Sequence, residues 1–128
     1  MPVLAAPVEF MTMDQSAAAL MDKATAAAIW KSQLPDKLTL RLAKLYKVSR
    51  WGFLSQVEGG FTESKICVVT ARAALVPRRT LGGLTFKPEK MATTFDALPN
   101  ATGEQCKALA RTKLTQAVTS VIGSMAAQ

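Results

Sequence analysis

Cys67 and Cys106 are the residues of this chain with the most specific chemistry. They are too far apart in sequence to form the Cys-x-x-Cys pair of a dithiol oxidoreductase, and two ligands are too few for a zinc site. A structural disulfide or two unrelated thiols, buried as small hydrophobes, remain. We adopt the disulfide, because each cysteine falls on the apolar side of its own predicted element. A reactive Cys106 thiol at a helix N-terminus is a third reading, but the chain has no histidine to activate it.

The absence of histidine removes whole classes of function. No Ser-His-Asp or Cys-His apparatus can form, nor an imidazole-ligated metal within one chain. General acid and base work would fall to carboxylates, of which Glu58, Glu63, Glu89 and Asp96 lie in the strand-rich region. Two of them at glycosidase spacing would make an enzyme, but surface solubility is the simpler account. Gly59, Gly60, Gly82 and Gly83 match no phosphate-binding pattern and read as turns. Asn100-Ala101-Thr102 is a formal glycosylation sequon that a helix cap explains equally well. The reading is therefore non-enzymatic, with no catalytic residue, metal or cofactor assigned.

The remaining chemical signal is charge. Sixteen Lys and Arg against nine Asp and Glu give +7, a balance that favours anionic partners. Lys31, Lys37, Arg41, Lys44, Lys47 and Arg50 face a single acid, Asp36, within one stretch that ends beside Tyr46, Trp51 and Phe53. Cations beside rings suit single-stranded nucleic acid, and Lys37, Arg41, Lys44 and Lys47 beside Leu38, Leu42 and Leu45 suit an anionic membrane or an acidic groove. A charge run is also how a chain keeps one face solvated. Lys37, Arg41, Lys44, Lys47, Arg50 and Trp51 are the candidate contacts. The leading expectation is an extracytoplasmic binding or accessory protein that recognises another protein or macromolecule, such as an inhibitor, an immunity factor or an envelope component. A binder of nucleic acid or another anionic polymer is the alternative.

These residues must be positioned by a chain of 128 residues, enough to fold as one domain around its own core. Residues 1–11 read as a disordered extension, and residues 12–128 as a single α+β domain. Met1 to Pro7 is too short for a signal peptide but resembles the small-residue tail of one; the alternative is a plain extension of a cytosolic protein. With the cysteine pair, this points to a periplasmic or secreted protein. No apolar run is long enough to span a membrane as a helix.

Thr12-Met13-Asp14-Gln15 fits a capping box, and the apolar spacing after it predicts a helix over Asp14–Lys31. Lys37–Lys47 satisfies both a strand and a helix pattern; a short helix capped by Asp36 is the reading taken. Trp51–Val57, a turn at Glu58-Gly59-Gly60, and Lys65–Val76 read as antiparallel strands, with Cys67, Val69, Ala71, Ala73 and Leu75 on one apolar face. One or two further short strands flank Pro88. Thr102-Gly103-Glu104-Gln105 is a second capping box, opening a helix whose stripe runs from Cys106 to Met125. The expected fold is α-α-β-β-β-α: an antiparallel meander of three or four strands with the first and last helices on one face, the other face open or covered by the basic segment.

Overall fold

The computed structural model describes residues 8–79, 82–85 and 87–127. Met1 to Pro7, read above as the tail of a signal peptide, lies outside the described residues. Val8 and Glu9 are exposed, but Phe10 is buried against Phe53 with ring centroids 4.9 Å apart, so packing begins inside the segment expected to be an extension.

The elements, in chain order, are β1 (Met11–Asp14), α1 (Lys23–Ser32), α2 (Asp36–Leu45), β2 (Trp51–Phe61), β3 (Ile66–Pro77), β4 (Lys90–Pro99) and α3 (Gly103–Ala126). The four strands form one sheet in the order β1-β2-β3-β4. β2, β3 and β4 make the expected antiparallel meander. The sheet as a whole is mixed, because β1 adds to β2 in parallel, Met11 aligning with Gly52 and Asp14 with Ser55. Parallel neighbours need a long crossover, and α1 with α2 provides it.

The helix expected over Asp14–Lys31 is shorter than its pattern: its expected cap falls in β1, which ends at Asp14, and residues 15–22 are turn and irregular backbone before α1. Asp14 does not help open a helix: its Oδ1 accepts from Ser16 Oγ and from Ser55 Oγ, each at 2.7 Å, which fixes the end of β1 to β2. α1 starts only at Lys23, where the Asp22 carboxylate accepts from Thr25 N at 2.7 Å. An aspartate at the N-cap satisfies a helix-end amide that would otherwise have no partner.

The second capping box is present in full. Thr102 Oγ1 accepts from Gln105 N while Gln105 Oε1 accepts from Thr102 N. From there α3 buries Cys106, Ala110, Leu114, Ala117, Val118, Val121, Ile122 and Met125. It lies on the β3 face formed by Cys67, Val69, Ala71, Ala73 and Leu75, all of them buried. The alanines on both sides allow close approach of helix and sheet, and each larger side chain buried contributes roughly 1.5–3 kcal/mol. α1 packs on the same side, its Trp30 stacked on Phe53 of β2 at 4.3 Å.

Glu58-Gly59-Gly60, expected to be a turn, lies within β2. Gly59 has φ +134° and pairs with Val69, and the Val68 carbonyl stands where a side chain would begin. Only glycine tolerates that combination. The turn comes later, where Thr62 N donates to Ile66 O and Lys65 adopts φ +62°.

The basic segment does not cover the open sheet face. Leu42 of α2 is buried in the same core as α3, with Leu38, Ala43 and Tyr46 packed around it. The opposite face carries a small cluster of Leu54, Ala74 and Val76, against which Met13 and Leu84 pack.

Candidate functional site

The Cys67 and Cys106 sulfurs are bonded to each other, with Cα atoms 5.7 Å apart. β3 presents Cys67 inward, and the capping box fixes the first turn of α3 so that Cys106 meets it. Both residues are buried in the core, so the bond joins two already packed surfaces.

α2 holds most of the candidate contact residues. Its helix does form where the sequence pattern was ambiguous, but Asp36 is its first residue and not its cap. Pro35 occupies the N-cap position without a side-chain bond, and Thr39 Oγ1 donates to the Leu34 and Pro35 carbonyls at 3.1 and 3.2 Å. Asp36 in the first turn and Lys44 in the last both complement the helix dipole. With Leu38, Thr39 and Leu42 turned inward, Lys37, Arg41 and Lys44 share the exposed face with Leu40 and Leu45, each 53% exposed. Lys47 and Arg50 follow, also exposed. Among the described residues none of these cations is in a salt bridge; the two ion pairs present are Lys107 with Glu104 and Lys113 with Asp96.

The fold adds charge that the linear sequence does not place here. Arg78, at the far end of β3, donates from Nη1 to Val48 O and from its backbone N to Arg50 O, both at 2.8 Å. It therefore stands beside Arg50, with exposed Arg79 next in the chain. The register of β2 with β3, which aligns Trp51 with Pro77, brings these two distant segments together. The neighbouring rings are less available than the sequence pattern implies. Trp51 is half-buried and meets Tyr46 edge to face at 5.6 Å, and Phe53 is fully buried under Trp30. Phe53 thus cannot serve as a stacking platform for a base.

The carboxylates considered for acid and base work are not gathered into a site. By register, Glu58 and Asp96 project from opposite faces of the sheet. Glu58 accepts from Gln56 and Asp96 pairs with Lys113. Glu63 lies in the β2–β3 turn, and Glu89 at the other end of β3, where its N donates to Leu75 O. Among the described residues, no three Cys, Asp or Glu side chains are grouped as metal ligands. Asn100 of the sequon has φ +57°, and Thr102 serves as the α3 cap.

A feature that the linear sequence does not announce lies between β1 and α1. A cleft of about 360 Å³ is lined by Thr12, Asp14, Lys23, Trp30 and Ser55, and a second of about 280 Å³ by Phe10, Trp30, Lys31, Asp36 and Thr39 among others. Trp30 borders both, and its buried Nε1 has no hydrogen-bond partner among the described residues. Beside the larger cleft, which Asp14 and Ser55 line, the Ser16 and Ser55 hydroxyls both donate to Asp14, and Val57 N donates to Ser16 Oγ at 2.9 Å. Each hydroxyl is thus engaged in holding β1 on β2. These residues meet only through the parallel pairing, so no spacing in the chain marks them as a group.

No family model matches the chain, and no curated protein matches it. Among solved structures, the chain is similar to a candidate lipoprotein of Caulobacter crescentus, with a TM-score of 0.34 and 10% sequence identity over 89% of this chain and 83% of that one.

Proposed function

We propose that this chain is a non-enzymatic, extracytoplasmic binding or accessory protein that recognises an anionic macromolecule through the cationic end formed by α2 and the β2–β3 terminus. The observation that carries this reading is the outward face of α2. Lys37, Arg41 and Lys44 are exposed there without salt-bridge partners among the described residues, and Arg78 is drawn in beside Arg50. Unpaired cations on a rigid helix keep their full field for a partner. The disulfide supports a compartment outside the cytoplasm, where such bonds persist. Among the described residues no helix is long and apolar enough to cross a membrane.

Leu40 and Leu45, exposed among the cations, favour a partner that also offers apolar contact. An acidic protein groove or an anionic lipid surface meets that description better than a nucleic acid, whose bases would need open ring faces. The test is a binding isotherm of the wild type and the Lys37→Gln, Arg41→Gln, Lys44→Gln, Lys47→Gln variant on anionic vesicles, an acidic polypeptide, and single- and double-stranded DNA at several salt concentrations. Saturable wild-type binding to vesicles or polypeptide, abolished in the variant with melting unchanged, is expected. Exposed charges contribute little to folding. Binding to DNA alone, with a salt slope on duplex DNA that the variant flattens by about 0.9 for each phosphate it no longer neutralises, would shift the reading to nucleic acid. Absence of binding on all surfaces would reduce the segment to a solvated face.

A further inference from the structure

We propose that two copies of this chain pair antiparallel through β4, with the twofold axis through Thr93, to continue the sheet across both protomers. β4 is the outer strand of the sheet, and among the described residues nothing pairs with its free edge over the ten residues Lys90–Pro99. A strand edge of that length presents a row of unpaired backbone groups, which native proteins usually cover or blunt. This one instead carries large apolar side chains: Phe95 is 77% exposed and Met91 53% exposed.

The side chains of β4 specify both occupant and register. Lys90-Met91-Ala92-Thr93-Thr94-Phe95-Asp96 is self-complementary when reversed: cation against acid, large apolar against large apolar, threonine at the centre. Residues opposite each other in an antiparallel pair project from the same face, so a twofold axis must pass through a residue and not between two. Centring on Thr93 sets Lys90 opposite the partner's Asp96 and Met91 opposite the partner's Phe95, each contact occurring twice. Centring on Ala92 or Thr94 pairs neither the charges nor two large side chains, and centring on Phe95 sets ring against ring but leaves Lys90 and Asp96 without opposite charges. Opposite charges and a thioether against a ring are both favourable cross-strand pairs.

The helix side accommodates the arrangement. α3 lies over β3 and β4, held to β4 by Thr94 Oγ1 donating to Lys113 O at 2.6 Å and by Lys113 Nζ 3.6 Å from Asp96. Strands spaced by roughly 4.8 Å would place the two α3 axes about 10 Å apart, an ordinary helix-packing distance. Asp96 would then sit between its own Lys113 and the partner's Lys90.

The register makes a charge-swap test decisive. Wild-type protein should sediment as a concentration-dependent dimer. Lys90→Asp alone and Asp96→Lys alone each put like charges opposite each other twice, and each should weaken the dimer about tenfold or more. Mixing the two variants restores opposite charges at all four positions, so a heterodimer should form where neither variant self-associates. Phe95→Glu, at an exposed position, should also give monomer with an unchanged circular dichroism spectrum. A wild type that stays monomeric at its highest soluble concentration overturns the proposal, as does a mixture that fails to associate while both variants remain folded. Anion binding by α2 is read in a separate assay on separate residues, so failure of either inference leaves the other standing.

Discussion

Replacing both Cys67 and Cys106 by alanine should lower the melting temperature by about 15 °C. The cysteines are 39 positions apart, and both sulfurs are buried. In the chain-entropy model, closing a loop of that size removes freedom from the unfolded chain worth about 4 kcal/mol at 25 °C. Unfolding entropy near the melting point is about 2.1 cal/mol/K per residue, hence about 0.27 kcal/mol/K for this chain, and the quotient is about 15 °C. Removing the packed sulfur atoms adds to the shift. The assay is thermal unfolding by circular dichroism, with thiol titration of the denatured, unreduced wild type run alongside. Titration should find no free sulfhydryl. Cys67→Ala alone should cost nearly as much as the double variant, because either change opens the loop. A double variant melting within about 3 °C of the oxidised protein would refute the reasoning.

Two further outcomes follow from the packing and capping. Leu114→Ala removes a fully buried side chain from the α3 stripe and should cost about 2–5 kcal/mol in denaturant unfolding, and Val118→Asp should cost more by burying a charge; unchanged midpoints for both would make α3 peripheral. The Thr25 amide holds the Asp22 carboxyl below the usual carboxylate range, so its cap is fully stabilising above about pH 4 and fades as pH falls through the lower folded value. Melting curves should accordingly show an acid-side loss in the wild type that Asp22→Asn, a non-titrating cap, partly removes; identical pH profiles would count against it.

Where local chemistry decides structure, the sequence was readable. Thr102 and Gln105 are near neighbours, so their reciprocal bonds show in the chain as a spacing. The alternation from Cys67 to Leu75 likewise reports a buried strand face, and with the stripe of α3 it was enough to pair Cys67 with Cys106. Where partners are distant, it misled. Thr12 to Gln15 has the residue types of a cap, yet Asp14 is claimed by Ser55, 41 positions away, and the segment becomes a strand. Asp22 and Thr25 hold the true start of α1, a weaker local signal set among alanines that favour helix everywhere. The cationic segment was legible as a run, but Arg78 joins it only through the β2–β3 register, and the burial of Phe53 depends on Trp30 and Phe10 reaching it from other elements.

The disulfide divides the chain unequally. Its loop contains nearly all of β3, the whole of β4 and the first turn of α3, while β1, α1, α2, β2 and the remainder of α3 lie outside it. The covalent link therefore places no direct restraint on β1, α1 or α2, whereas it keeps the start of β3 and the first turn of α3 tethered even in the oxidised, unfolded chain. β1 is fixed to the sheet by noncovalent contacts alone, four residues of pairing and the Asp14 hydroxyl bonds. The helix that carries the cations thus takes its position from packing alone, through Leu42 in the shared core, and reducing the disulfide breaks none of its own contacts.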